Sequence, residues 1–459
     1  MKQLHYNPIL LPELREMLAA GDLEGIETVL RELHPATIAE FTEGLDPAET
    51  WALLQFAPAE RQAEVFTYYS MPKQIELVES GDLDHVSTLL DAMPPDDRAD
   101  LMQGLDESLV EQLLPKMGKE ERHDVRMLMA YPDDSAGSVM TTDFAWLPED
   151  VTVSEAIPLL RQQAADSETI YYVYVIDKEH RLVGIISLRD LILARPDAQV
   201  RDIMKRDPVF ARVTDDREEV ARQLARYNFL ALPIVDEQHR LVGIVTHDDV
   251  IDVVIEEATE DALRMGAVGA MVESFLDAPF TVVWRKRAVW LSLLFVAELM
   301  TFGAMAYFEK ALAAITALSF FVPLCISTGG NSGAQAATLI TRAMALDQVR
   351  PGDWWRVIRH EVVMGLVLGL TLGSIAFLQV ILTPDRILRY DPAWKLGIVV
   401  GISVTFICLW GTLVGSLLPL GFQKLGFDPG YASSPFVATL VDVTGIVIYF
   451  SVATVILFT

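Results

Sequence analysis

The stretch that decides the fold of the second half of the chain is Ala432–Thr459, ASSPFVATLVDVTGIVIYFSVATVILFT. A helix needs about 20 apolar residues to cross the ~30 Å hydrocarbon core of a bilayer, and this stretch supplies them. Asp442 lies near its middle, where a charge costs about 2.5–3.5 kcal/mol unless it faces water, an ion or a partner. Because the stretch contains no basic residue, Asp442 indicates cation handling.

Charge is distributed unevenly along the 459 residues, whose net charge is −28. From Thr281 onward 12 Lys and Arg face 9 Asp and Glu, a balance of +3, so the first 280 residues hold the other 24 and 55, a balance of −31. Such an acidic half attracts cations and repels nucleic acid, so no nucleic-acid partner is expected. Cys325 and Cys408 both fall in apolar spans, which predicts no disulfide framework.

Residues 1–135 predict an α-helical superhelical domain. The segments LHPATIAEFTEGL, LDPAETWALLQFA and MPPDDRADLMQGL each place an apolar residue, proline and polar residues before a helical pattern. This loose repeat is typical of stacked helical hairpins. The N-terminus lacks the charged start and apolar core of a signal peptide, so we expect this acidic half to stay in the cytosol.

Residues 136–255 contain a tandem repeat, about 136–199 and 200–255. RLVGIISLRDLI (Arg181–Ile192) and RLVGIVTHDDVI (Arg240–Ile251) are offset by 59 residues, and each follows a β-rich stretch. The strand–turn–strand–helix repeat resembles a pair of CBS domains, an α+β fold.

Each repeat carries a Ser/Thr-x-x-Asp pattern, Ser187 to Asp190 and Thr246 to Asp249. A hydroxyl and a carboxylate one helical turn apart can together bind a ribose diol, as in some CBS pairs. The same pattern also serves as a helix N-cap that needs no ligand. The sequence leaves both interpretations open.

Residues 256–280 predict one connecting (plug) helix from the CBS pair to a transmembrane pore domain at 281–459. The pore domain is predicted to be all-α, with apolar spans at about 286–308, 312–341, 357–382, 395–421 and 434–458. Arg285, Lys286 and Arg287 precede the first span and favour a cytosolic start, so five crossings leave the C-terminus outside.

The second span contains GGNSGAQ, Gly329–Gln335, which predicts an interrupted helix at membrane depth. Irregular backbone there is tolerated only where protein or a water-filled cavity satisfies it. Close helix packing through small residues would also explain the glycines. It gives no role to Asn331 and Gln335, so we favour a pore lining.

Asp442 has small neighbours one turn away on its helix, Ala438 and Gly445 among them. They leave room for a hydrated ligand, and Mg²⁺ is usually held through few carboxylates with several waters retained. The alternative is an interhelical hydrogen bond or ion pair. No Arg or Lys lies mid-span in the five apolar spans, which weakens the ion pair. Glu298 and Glu361 are further intramembrane acids.

Two acidic groups lie in the soluble half. One begins at Asp248 and runs to Asp261, and the other comprises Asp96, Asp97 and Asp100. Facing acidic surfaces separate unless cations screen them, which is one way to build a divalent-ion switch. Either group taken alone is more commonly a solvated charge run.

The whole chain resembles the MgtE family of magnesium channels, most specifically through Gly329–Gln335 and PFVATLVDVTGIVIYF, Pro435–Phe450. The resemblance implies a homodimer with its pore at the subunit interface in the membrane lipid, closed by cytosolic Mg²⁺ bound between the helical and CBS domains. It implies a pore site for hydrated Mg²⁺ at Asp442, Ala438 and Asn331.

The resemblance also assigns regulatory residues. The implied Mg²⁺ sensor ligands are Asp249, Asp252, Glu257, Glu260, Asp261 and Asp428, with Asp96, Asp97 and Asp100 matched only by context. It further implies ATP as a ligand of the CBS pair, for which the candidates are Tyr172, Arg189 and Asp190.

These observations predict a CBS-gated, Mg²⁺-selective channel of a bacterial inner membrane that imports Mg²⁺ and serves magnesium homeostasis. The alternative is a CBS-regulated transporter of Co²⁺ or Mn²⁺; Zn²⁺ is disfavoured because the spans offer few His or Cys ligands. A membrane enzyme would need a nucleophile–base pair or a metal-ligand cluster, and the sequence shows neither. A magnesium receptor without transport would leave Asp442 unexplained.

Overall fold

Prolines and acidic caps divide the start of the chain into short helices. Pro35, Pro47 and Pro95 each occupy the first turn of a helix, where their missing N–H removes no hydrogen bond. Asp46 closes a capping box, because its Oδ1 accepts the Glu49 N–H at 2.7 Å and the Glu49 carboxylate accepts the Asp46 N–H at 3.2 Å. The computed structural model describes residues 8–165, 167–269, 278–346, 348–388 and 390–457.

The first helices form the predicted superhelical domain. Alternate helices pack on one another, α3 on α5, α4 on α6 and α5 on α7, as stacked hairpins do. Leu53, Phe66 and Leu89 lie in their shared core. The helices are α1 Leu11–Ala20, α2 Leu23–Glu32, α3 Pro35–Thr42, α4 Pro47–Leu54, α5 Ala59–Phe66, α6 Met71–Ser80, α7 Leu83–Asp91, α8 Pro95–Gly104, α9 Glu107–Leu113 and α10 Lys119–Leu128.

The tandem repeat forms two small sheets of the predicted α+β kind. The first has strand order β1-β2-β3-β4 and the second β5-β6-β7. The elements are β1 Phe144–Pro148, α11 Val153–Gln163, β2 Thr169–Ile176, β3 Leu182–Ser187, α12 Leu188–Leu193, α13 Val200–Ile203, β4 Lys205–Arg206, β5 Ala211–Arg212, α14 Arg217–Tyr227, β6 Ala231–Val235, β7 Leu241–Thr246 and α15 His247–Met265.

The two repeats are paired symmetrically at equivalent residues. The Leu182 N–H donates to the His239 carbonyl and the Leu241 N–H donates to the His180 carbonyl, both at 3.0 Å. His180 and His239 are 59 residues apart and both have φ of 62°. The offset read from the sequence is therefore the offset of the fold.

The prediction of one connecting helix over 256–280 is wrong in its bounds, as helix α15 shows. The helix begins earlier, at His247, and ends at Met265. Ala267 adopts φ of 57°, and the Val268 N–H donates to the Leu263 carbonyl at 2.9 Å, which is the hydrogen bond of a Schellman cap. This left-handed turn stops the helix. Residues 270–277 of the predicted segment lie outside the described residues.

The chain divides into two units, Met1–Glu257 and Ala258–Thr459. In the described part of the second unit, four helical segments are long and apolar enough to cross a membrane: Phe280–Tyr307, Pro351–Leu382, Ala393–Lys424 and Ser434–Leu457. The full set of helices is α16 Phe280–Tyr307, α17 Glu309–Ala314, α18 Ala317–Ala345, α19 Trp354–Leu382, α20 Asp385–Leu388, α21 Ala393–Lys424 and α22 Ser434–Leu457. Five membrane crossings stay a prediction, because α18 is long enough but more polar.

The predicted interruption of the second span is wrong. Helix α18 runs without a break through Gly329–Gln335. Its glycines serve packing instead: a Cβ on Gly329 would lie 2.4 Å from Ile407 Cγ2, and one on Gly333 would lie 3.0 Å from the Gly411 carbonyl oxygen. Small residues let helices approach closely while their backbone hydrogen bonds stay intact.

Helices α18, α21 and α22 enclose the core of the second unit. Buried side chains from all three meet there, including Cys325, Ile407 and Tyr449, and the Tyr449 hydroxyl donates to the Leu318 carbonyl at 2.9 Å. The outer helices expose large apolar side chains, such as Phe302 of α16. Exposed apolar side chains of this size suit a lipid environment.

Candidate cation-transport and regulatory sites

The candidate pore carboxylate lies where α22 contacts α18. Asp442 is half-buried, and a Cβ on Gly330 would lie 3.3 Å from Asp442 Oδ1 and 3.5 Å from Ala438 Cβ. Because Gly330 has no side chain, Asp442 and Ala438 lie directly against the backbone of α18. The structure thus brings together the two predicted pore residues of α22.

Of the polar residues on the other helices, Glu298 interacts with this position and Asn331 faces a different direction. The carboxyl of Glu298, on α16, interacts electrostatically with that of Asp442. Asn331, the third predicted pore residue, follows Gly330 on α18, and its exposed side chain donates to Ser327 Oγ at 3.4 Å. Successive helical residues point about 100° apart, so Gly330 and Asn331 face different directions.

The second candidate site is an acidic cluster in the first unit. Its residues come from the helical domain and from both CBS repeats. It comprises Asp96, Asp97, Asp100, Asp143, Glu168, Asp248, Asp249 and Glu256. Asp96 Oδ1 is buried and has no hydrogen-bond partner among the described residues. Burial, followed by repulsion from Asp249, raises the pKa of Asp96 well above its usual value.

Two further carboxyls of this cluster have raised pKa values. Partial desolvation, followed by repulsion from Asp97, raises the pKa of Asp100 to about 7. Partial desolvation, followed by repulsion from Asp249, raises that of Glu168 to about 7. Both side chains still have exposed surface, so solvent screens part of this repulsion. The cluster therefore favours bound protons or cations over bare charge.

The predicted sensor residues of α15 are distributed along the helix rather than gathered at one point. Asp249 Oδ2 accepts the Thr246 hydroxyl at 2.5 Å, and Glu257 pairs with Arg217 at 2.9 Å. Asp252 and Asp261 are half-buried. Among the described residues, no three His, Cys, Asp or Glu side chains are arranged as a ready metal site.

Glu260 and Asp428, the remaining predicted sensor residues, share one cation of the chain itself. Both carboxylates form ion pairs with Arg264, near the end of α15. Asp428 Oδ1 also accepts the Gly430 N–H at 2.6 Å. The structure brings these two acids to the same guanidinium, which lies between them.

The nucleotide candidates meet at one end of the first CBS sheet. Tyr172 of β2 is opposite Ser187 of β3, and Arg189 and Asp190 follow in the exposed first turn of α12. Ser187 Oγ accepts the Asp190 N–H at 3.0 Å, so this pattern forms the local cap. The exposed Asp190 carboxylate is left available to a ligand.

Sequence reasoning missed several charged groups at these sites. Glu168 lies in a loop next to the acidic cluster. The Glu168 N–H donates a hydrogen bond to the Asp143 carbonyl at 2.8 Å, which holds this loop in place. The residue 59 positions later is Tyr227, so the repeat carries no signal for it. Arg217 and Arg264 were also missed. The run of acidic residues on α15 was a signal that basic partners could lie nearby, but it did not identify them.

Comparisons with known proteins follow the domain order of the chain. The family described as the MgtE intracellular N domain matches residues 33–134, the CBS domain matches 136–197 and 200–256, and MgtE, a divalent cation transporter, matches 322–452. The magnesium transporter MgtE of Thermus thermophilus is 40% identical over 97% of this chain and 98% of its own. That of Bacillus subtilis is 33% identical over 95% of each chain.

Two solved structures resemble the first unit. The soluble part of a magnesium transporter is 34% identical with a TM-score of 0.51, and covers 54% of this chain and 97% of its own. The cytosolic domain of the Mg²⁺ channel MgtE in complex with ATP is 39% identical with a TM-score of 0.50, and covers 52% and 98%.

The relatives are named for transport, which agrees with the prediction that the chain is not an enzyme. Its soluble N-terminal domains and apolar helices are those of a membrane protein with a CBS regulatory region. The chain belongs to the MgtE family of magnesium transporters.

Proposed function

We propose that the chain is a homodimeric, Mg²⁺-selective channel of a bacterial inner membrane that imports Mg²⁺ and closes when cytosolic Mg²⁺ binds its N-terminal domains. The observation that carries the pore assignment is Asp442, which lies half-buried against Gly330 with Glu298 nearby. Intramembrane carboxylates without a basic partner mark cation pathways.

The donor set supports Mg²⁺ as the cargo. Asp442 and the carbonyls of α22 and α18 are hard oxygen donors, and a small number of carboxylates suits an ion that retains its waters. Cys325 and Cys408 are buried in helix packing. The alternative cargo, Co²⁺ or Mn²⁺, accepts the same oxygens and is tested by competition.

The homodimer is supported by exposed residues of two helices. Asn331 and Gln335 are exposed on α18, where lipid contact would be costly for an amide. On α15, Ile251, Val254 and Ile255 are 48%, 51% and 43% exposed and share one helical face. A second copy would cover both surfaces and contribute a second Asp442 to the pore. The orientation that we propose for the chain, with its C-terminus outside, is supported by the basic residues before the first span.

Gating is supported by the acidic cluster of the first unit. Asp96 and Asp100 of the helical domain repel Asp249 and Glu256 of the CBS side. A divalent cation between them would convert this repulsion into attraction and hold the two domains together. ATP at Tyr172, Arg189 and Asp190 would modulate the same CBS pair, as the ATP complex of the related cytosolic domain suggests.

Ion flux into liposomes tests this function. We expect Asp442→Ala to lose most Mg²⁺ flux, and Glu309→Gln, a charge change in an exposed residue of α17, to retain it. Mg²⁺ added on the cytosolic side should close the wild-type channel. Undiminished flux in Asp442→Ala would refute the pore assignment, and currents indifferent to cytosolic Mg²⁺ would refute the gate. If Mn²⁺ or Co²⁺ blocks Mg²⁺ flux at low concentration, or enters the liposomes faster than Mg²⁺, the alternative cargo would be favoured.

A further inference from the structure

Arg264 links two acidic side chains that are far apart in sequence. One terminal nitrogen, Nη2, pairs with Glu260 Oε1 one turn earlier on α15, and the other, Nη1, pairs with Asp428 Oδ2. The three side chains are only 25–28% exposed. The guanidinium fork is thus divided between two carboxylates, which is the geometry that an arginine supports and a lysine does not.

The surroundings of Arg264 are shaped to hold it. Its guanidinium carbon lies 5.8 Å from the centre of the Tyr431 ring, within cation–π range. The centre of the Tyr431 ring in turn lies 6.3 Å from that of the Trp290 ring, on α16. A Cβ on Gly430 would lie 3.2 Å from Arg264 Cβ, so any larger residue there would crowd the arginine. The Gly430 N–H holds Asp428 Oδ1 and leaves Oδ2 to the arginine.

The contact connects the end of α15 with the segment that leads into the pore helix. Asp428 and Tyr431 lie just before α22, the helix that carries Asp442. Without a cation between them, the carboxylates of Glu260 and Asp428 would repel each other. A guanidinium and a divalent cation need the same oxygens, so they compete for this position.

We propose that Arg264 is a positioning residue that holds the end of α15 to the start of α22 when cytosolic Mg²⁺ is low, and that Mg²⁺ binding to Glu260 and Asp428 displaces it. The inference rests on the proposed function of these two acids as Mg²⁺ ligands. Arg264 thereby sets the Mg²⁺ concentration at which Mg²⁺ replaces the guanidinium at these two carboxylates.

Hydrogen–deuterium exchange of the full-length protein in lipid nanodiscs tests the proposal without measuring transport. The peptides to follow cover residues 255–265 and 424–434, at increasing Mg²⁺. In Arg264→Gln we expect faster exchange of both peptides without Mg²⁺, and a Mg²⁺ midpoint lowered about three- to tenfold by loss of the competitor. Arg264→Lys should lie between wild type and Arg264→Gln. The control is Arg222→Gln, which removes an arginine that forms ion pairs within its own helix, with Glu218 and Glu219.

A midpoint that is unchanged or raised in Arg264→Gln would overturn the inference. A double variant, Glu260→Gln with Asp428→Asn, separates this failure from failure of the proposed sensor. If the double variant keeps the wild-type midpoint in these peptides, the two acids are not Mg²⁺ ligands. If the double variant loses the response while Arg264→Gln matches wild type, the acids bind Mg²⁺ and only the role of Arg264 is wrong.

Discussion

Replacing Gly415 by alanine should separate two pore-domain helices. A Cβ at this position would lie 2.1 Å from the Gly333 carbonyl oxygen and 3.0 Å from Gly333 Cα. Both atoms belong to the backbone of α18, so no side-chain rotation relieves the clash. Helices α18 and α21 would have to move apart by about 1 Å to restore ordinary contact distances.

The cost can be estimated from the packing. Inserting a methyl group into a close-packed interface costs about 1–3 kcal/mol, while the added helix propensity of alanine returns at most ~1 kcal/mol. Because α18 also carries Gly330 against Asp442, the shift reaches the pore site. We expect Gly415→Ala to lower the midpoint of thermal unfolding in detergent by roughly 3–10 °C and to reduce Mg²⁺ flux.

Gly421→Ala supplies the matched control, because it lies on the same helix and a Cβ there meets nothing within 4 Å. Its thermal midpoint should be equal to that of wild type or slightly higher, since alanine favours the helix. The same midpoint in both variants would refute the close approach of α18 and α21.

Three further predictions concern the first unit. Burial raises the pKa of the Asp96 carboxyl, and it raises the pKa of the Glu168 carboxyl to about 7. The carboxyls of the cluster therefore bind more protons in the folded protein than in the unfolded chain. Without divalent cations, the stability of the first unit should therefore fall as the pH rises from about 4 to 7. Limited proteolysis in EDTA measures this fall, and Asp96→Asn should make the stability depend less on pH. Arg217→Gln removes the ion pairs that the 17% exposed Arg217 side chain forms with Glu256 and Glu257. We expect the variant to lose about 1–2 kcal/mol of the free energy of unfolding of the first unit, measured by calorimetry as a lower unfolding midpoint. Tyr172→Ala should weaken ATP binding about fivefold or more in a fluorescence titration, whereas its exposed neighbour Tyr171→Ala should not.

Local sequence signals predicted the architecture well where the cause is local. Helix starts at Pro35, Pro47 and Pro95 follow from the fixed φ of proline, which helix N-termini accept. The 59-residue repeat predicted two equivalent strand–turn–strand–helix units, and the structure pairs them at His180 and His239. Two predictions failed: the helix stops at Ala267 without the usual glycine, and the glycines in α18 serve close packing against α21, which the local sequence does not show.

The sequence by itself determined the apolar helices, the acidic soluble half and Asp442 as the costly carboxylate, because hydropathy and charge are properties of each residue. Only the tertiary structure decided which charges meet. Arg264 and Asp428 are 164 residues apart, and Glu168 joins Asp96 from a different domain. Such partners depend on how folded elements pack, since electrostatic energy depends on distance in space rather than along the chain.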